Sequence, residues 1–175
     1  MLIEYETLRI RNATSEDAGI LCKWWNDPKV MAHAGFPNGL MTTEEKIVSE
    51  LSTDSDVSRR RLIIEIDNIA VGEMSYRIIE NNHAEIGIKL CDSDYQNKGY
   101  GSKLLCMLIT SLFEKLQCDK IVLDTNINNA RAKHTYEKLG FLQTKVNINS
   151  FVDQLGNYQS SIDYELTPEN FKSVI

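Results

Sequence analysis

Three β-rich runs follow one another over residues 61–90 with almost nothing between them. Residues 61–66, 69–78 and 83–90 are separated only by Asp67-Asn68 and by residues 79–82, with Glu80-Asn81-Asn82 as the turn. A parallel crossover needs a dozen residues or more, so connections this short impose antiparallel pairing. An all-parallel nucleotide-binding sheet is thereby disfavoured from the start.

The pattern changes after Leu90. Residues 96–102 form a polar, glycine-bearing loop. Beyond it Leu105, Leu108, Ile109, Leu112, Phe113 and Leu116 recur at i, i+3, i+4, i+7, i+8 and i+11, the spacing of one helical face. Residues 120–125 read as a buried strand and 129–139 as a helix ended by Gly140. Residues 141–147 and 160–166 read as closing strands. Upstream, 7–11 alternate as an opening strand. Ser15 is expected to cap a helix that runs to Trp25, with Glu16 and Asp17 in its first turn, and Asn26-Asp27-Pro28 ends it. Thr42-x-x-Glu45 resembles a capping box opening a second helix. The resulting order, β-α-α-β-β-β-α-β-α-β-β, predicts a mixed α/β fold. Its sheet is twisted and largely antiparallel, with about seven strands and helices on both faces. At 175 residues this is expected to be a single domain, 1–175.

Charge narrows the function classes. Nineteen basic and twenty-five acidic side chains leave −6, which argues against binding nucleic acid through its phosphates. Residues 1–58 hold ten acidic and five basic side chains, an excess that suits a cationic small molecule. The cysteines Cys22, Cys91, Cys106 and Cys118 form no C-x-x-C pair and no zinc framework, so no metal is expected. Reduced thiols and an acidic start without a leader pattern point to the cytoplasm. The longest apolar run, 104–109, is far too short to span a bilayer. His33, His83 and His134 have no metal-ligand spacing. Arg59-Arg60-Arg61 is expected to be a solvated strand edge.

The loop Gln96-Asn97-Lys98-Gly99-Tyr100-Gly101-Ser102 carries the first chemistry. Gly99 and Gly101 allow close backbone approach, and the start of the following helix offers free N–H groups and a positive dipole end to phosphate oxygens. A dinucleotide fingerprint would need a third glycine where Leu104 stands, although Asp124 mimics its ribose-binding acid. A Walker loop is absent.

A second motif follows about thirty residues later: Asn129-x-x-Ala132-x-x-x-Tyr136-Glu137-Lys138-Leu139-Gly140-Phe141. At this spacing and in this element order the pair resembles the GNAT superfamily of acyl-CoA-dependent N-acyltransferases. The segment around Trp25-Asn26-Asp27-Pro28 is similar to the subgroup with ribosomal-protein N-terminal alanine, aminoglycoside and polyamine acetyltransferases. The resemblance implies an acetyl-CoA-binding core over 60–145 and an acceptor-side segment over 1–58. It implies that the strand 85–90 splays from 120–125, with Ile88 and Leu90 beside the pantetheine arm. The amides of Gln96, Asn97, Lys98, Gly99, Tyr100 and Gly101, with the Ser102 hydroxyl, would cradle the diphosphate. Asn129 would contact the arm, and Tyr136 would stand near the thioester sulfur.

The implied reaction moves acetyl from acetyl-CoA to a primary amine of a small molecule or peptide by direct attack. Tyr136, with a phenol pKa near 10, is the expected proton donor to the departing thiolate. Glu85 is the candidate general base, with Glu73 and Trp25 as candidate acceptor-pocket residues. Cys91 lacks a His partner for nucleophilic work. A non-catalytic acyl-CoA-binding domain is the alternative. Membrane and nucleic-acid partners are not expected, and a homodimer is the assembly kept open.

Overall fold

The computed structural model describes all 175 residues. Eight strands form one sheet in the order β1-β2-β3-β4-β5-β6-β8-β7: β1 Leu2–Tyr5, β2 Leu8–Asn12, β3 Arg59–Ile66, β4 Ile69–Ile79, β5 His83–Leu90, β6 Lys120–Asn126, β7 Leu142–Val152 and β8 Tyr158–Leu166. Every neighbouring pair is antiparallel except β5 with β6. The sheet thus has one strand more than the expected seven. β1 escapes sequence reading because it is short and turns into β2 through Glu6-Thr7, with Glu6 at φ 53° and no Gly or Asn to mark the turn.

Helices cover both faces: α1 Ala18–Trp25, α2 Pro28–Met31 and α3 Glu44–Leu51 on one, α4 Tyr100–Glu114 and α5 Ala130–Lys138 on the other. β3 shows why both layers are needed. Leu62 and Ile64 enter the large core under α4, while Ile63 points to the smaller core of Leu21, Trp24, Trp25 and Ile47. A strand buried on both faces carries a continuous apolar run, as this one does.

Local signals hold with small shifts. Thr14, not Ser15, caps the first helical turn, its N–H donating to Asp17 Oδ2 at 2.8 Å. Arg11 grips the same carboxylate with two bonds of 2.8 Å, which fixes the α1 layer to the sheet. Thr43, not Thr42, caps α3 through its hydroxyl, which accepts from the Lys46 amide at 3.4 Å. Asp27 caps the short α2, so Pro28 opens a helix rather than closing the chain off. Gly140 follows α5 at φ 96°, as its position predicts. No helix is long and apolar enough to cross a membrane.

Candidate functional site

The single parallel contact of the sheet is brief. His83, Ala84 and Glu85 face Lys120, Ile121 and Val122, and there the pairing stops. β6 continues along β8 to Asn126, while β5 continues along β4 to Leu90. The two strands part, and alternate N–H and C=O groups of residues 86–90 lose their neighbour. A cleft of about 940 Å³ opens between them, lined by Ile88 and Leu90 on one side and by Asp124, Asn129 and Tyr136 on the other.

At the Leu90 end the cleft meets the glycine loop. Asn97 lies at φ 59° and Gly99 at φ 82°, and Gly99 caps α4 without a side chain. None of the amides over residues 97–102 finds a main-chain acceptor. Successive unpaired donors at the start of a 15-residue helix are the arrangement that favours anions, through hydrogen bonding and the helix dipole together. A Cβ placed on Gly99 or Gly101 would meet nothing within 4 Å, so the space before the loop is open. Gln96 departs from expectation, because its N–H donates to the Ser93 carbonyl at 3.1 Å. Its side chain braces the loop instead. Nε2 donates to the Leu90 carbonyl at 2.7 Å, and Oε1 accepts from Arg131 at 3.1 Å. Ser102 lines the cleft; the side chains of Lys98 and Tyr100 do not, and the Tyr100 ring turns to Tyr95 at 6.2 Å.

Tyr136 is 8% exposed, wedged between Phe141 and Tyr164 with ring centroids 5.7 Å from each. The only fully buried polar side-chain atom without a partner is Ser111 Oγ. The Tyr136 hydroxyl, which has no partner in the chain either, therefore opens on the cleft. Burial pushes this phenol up to about 12, with Asp124 adding to the shift. It stays protonated throughout the physiological range and remains a donor.

Asn129 caps α5, its Oδ1 accepting from the Ala132 amide at 3.1 Å, which leaves its NH₂ free. Glu85 lies on the cleft wall with Oε2 bonded to Arg77 at 2.7 Å. Asp124 lines the same cleft and was not among the expected catalytic residues. Its carboxylate is open to water along the cleft, yet protein surrounds it elsewhere. Burial raises its pKa, and Asp163 directly across on β8, with Glu85, raises it further. An acid at the end of the strand entering the second motif was the available signal.

Two expected pocket residues lie elsewhere. Trp25 is buried in the α1–α3 core, with the Arg61 guanidinium 6.0 Å from its ring centroid. Glu73 is buried behind Lys89, whose Nζ donates to it at 3.0 Å. Neither lines the cleft. Cys91 is a half-buried thiol pushed up to about 12 by desolvation, unsuited to nucleophilic attack. The acidic excess of residues 1–58 also faces away, because that segment lends the cleft only Lys29, Val30, His33 and Ala34. Asp17, Glu50, Asp54 and Asp56 pair instead with Arg11, Arg61 and Arg60.

Residues 7–142 match the family described as the acetyltransferase (GNAT) domain. An uncharacterized N-acetyltransferase p20 of Bacillus licheniformis is 25% identical over 142 residues, covering 78% of this chain and 79% of that protein. Spermidine N-acetyltransferase of Vibrio cholerae, solved with CoA and spermine, superposes with a TM-score of 0.82 at 21% identity over 94% of this chain and 97% of that one. RimL, a ribosomal L7/L12 alpha-N-protein acetyltransferase solved with CoA, gives 0.83 at 19% identity over 95% and 98%.

Proposed function

The chain belongs to the GNAT acetyltransferase family, and from that premise we propose that it transfers acetyl from acetyl-CoA to a primary amine by direct attack in a ternary complex. One observation carries this reading: Asn97, Gly99, Gly101 and Ser102, whose amides have no main-chain partner, line the same cleft as Tyr136.

The amides and the Ser102 hydroxyl bind the diphosphate. The free edge of β5 at Ile88 and Leu90 runs along the pantetheine arm, and the Asn129 NH₂ donates to it from α5. A β5 amide near Ile88 stabilises the oxygen that gains charge as the thioester is attacked. The amine arrives protonated, since its pKa is about 10, and gives its proton to the carboxylates at the mouth of the cleft. Asp124 accepts it, its basicity raised by burial and by Asp163 across the strand pair, and Glu85, fixed by Arg77, holds the ammonium beside it. The C–N bond forms, the C–S bond breaks, and Tyr136 protonates the departing sulfur. Holding amine and thioester together contributes roughly 7–11 kcal/mol of the barrier reduction.

Calorimetry with acetyl-CoA, followed by thiol release across an amine panel, tests this reading. Binding with amine-dependent release is expected. Binding with slow release that no amine accelerates would instead identify a non-catalytic acyl-CoA-binding domain.

A further inference from the structure

Resting on the acetyl-transfer reading, we propose that the acceptor amine carries an anionic group, a carboxylate or a phosphate, on the same molecule. Register places a row of charges across the acceptor end of the cleft. Arg59 on β3 stands directly opposite Arg77 on β4, and Arg77 directly opposite Glu85 on β5. Residues opposed in this way share one face of the sheet with Cβ atoms about 4.5–5.5 Å apart. All three line the cleft.

Glu85 neutralises Arg77 at 2.7 Å. Nothing neutralises Arg59. Its sequence neighbours are both paired, Arg60 with Asp56 at 2.7 Å and Arg61 with Asp54 at 2.6 Å, so the lone guanidinium is the one that faces the cavity. Two guanidiniums opposite one another repel unless an anion lies between them. Lys29 and His33 line the same space from the α2 side, and neither side chain has an acidic partner.

These side chains do not serve the diphosphate. Their row meets β5 at Glu85, and the glycine loop leaves from Leu90, roughly 16 Å further along at about 3.3 Å per residue. The carboxylates of Glu85 and Asp124 receive the ammonium end of the acceptor, and Arg59, Lys29 and His33 receive its anionic end. A purely cationic amine would set its second charge against an unpaired guanidinium, which selects against it.

The test uses matched acceptors with the whole protein: the C-terminally amidated peptides Ala-Glu-Asp and Ala-Lys-Lys, glucosamine 6-phosphate and glucosamine, and spermidine. The anionic member of a pair is expected to have kcat/KM about tenfold higher or more, chiefly through KM. Arg59→Glu should erase that advantage, and Arg59→Gln should reduce it, while both bind acetyl-CoA with wild-type affinity. Turnover confined to the peptide pair or to the sugar pair supports the assignment and identifies the source of the anion. Acetyl-CoA binding with spermidine preferred, or a preference that survives Arg59→Glu, overturns the acceptor assignment and leaves acetyl transfer standing. Absence of acetyl-CoA binding overturns both.

Discussion

The ring of Tyr136 packs edge-on against that of Tyr164 with centroids 5.7 Å apart, and the Tyr164 hydroxyl donates to Glu137 at 3.2 Å. Two phenols in contact thus have different freedom. Tyr164 is tied into α5, and Tyr136 keeps its hydroxyl for the cleft.

Tyr136→Phe keeps the ring and its packing and removes only that hydroxyl. Turnover is expected to fall about 10²-fold or more, the range for loss of a general acid. Acetyl-CoA affinity and melting temperature should hardly move. Steady-state kinetics, calorimetry and thermal melting read the three quantities separately, and wild-type turnover would remove Tyr136 from the mechanism.

The raised pKa of Asp124 sets a pH limb. A base must be ionised, so activity should fall as pH drops through the Asp124 pKa, which lies above that of an ordinary aspartate. No loss from Tyr136 is expected on the alkaline side until about 12. Asp124→Asn should abolish the acid limb attributable to this group and lower kcat about 10²-fold. The same shift has a stability sign. A carboxyl whose pKa is raised by folding stabilises the fold at low pH and loses that contribution as pH rises through it. Asp124→Asn is therefore expected to melt at or above the wild-type temperature at pH 7.

Gly101 and Gly99 separate fold from ligand space. A side chain at either position enters open cleft, but only Gly99 lies at positive φ, 82°. Gly101→Val should leave the melting temperature near wild type and weaken acetyl-CoA binding about tenfold or more, which is 1.4 kcal/mol. Gly99→Val should weaken binding and also cost about 1–2 kcal/mol of stability. Wild-type affinity in Gly101→Val would contradict the amide cradle.

Asp17 anchors the α1 layer. Burial pushes its carboxyl up, but the Arg11 bonds and the Thr14 amide outweigh that and hold it below the usual range. Its contribution is present above the unfolded pKa, about 4, and fades as pH falls through the folded value. Asp17→Asn should destabilise by roughly 1–2 kcal/mol at pH 7, since it weakens two charge-assisted bonds while Arg11 keeps Glu65 at 2.7 Å. The loss relative to wild type should shrink below about pH 4. Urea unfolding at several pH values checks both statements.

Much of this molecule is local and was legible in the chain. Turn chemistry at Asp67-Asn68 and at Glu80-Asn81-Asn82 fixed three antiparallel strands. Apolar spacing fixed α4, although it ends at Glu114, short of Leu116. Gly99, Asn129, Tyr136 and Gly140 could be picked out because each occupies a set place relative to a helix end. Which side chains share the cleft was decided only by the assembled sheet. Arg59, Arg77 and Glu85 meet through strand register, β5 leaves β6 after three paired residues, and Glu73 falls behind Lys89. Register between segments distant in sequence has no signature in either one alone, and a slip of one residue would send each of these side chains to the opposite face.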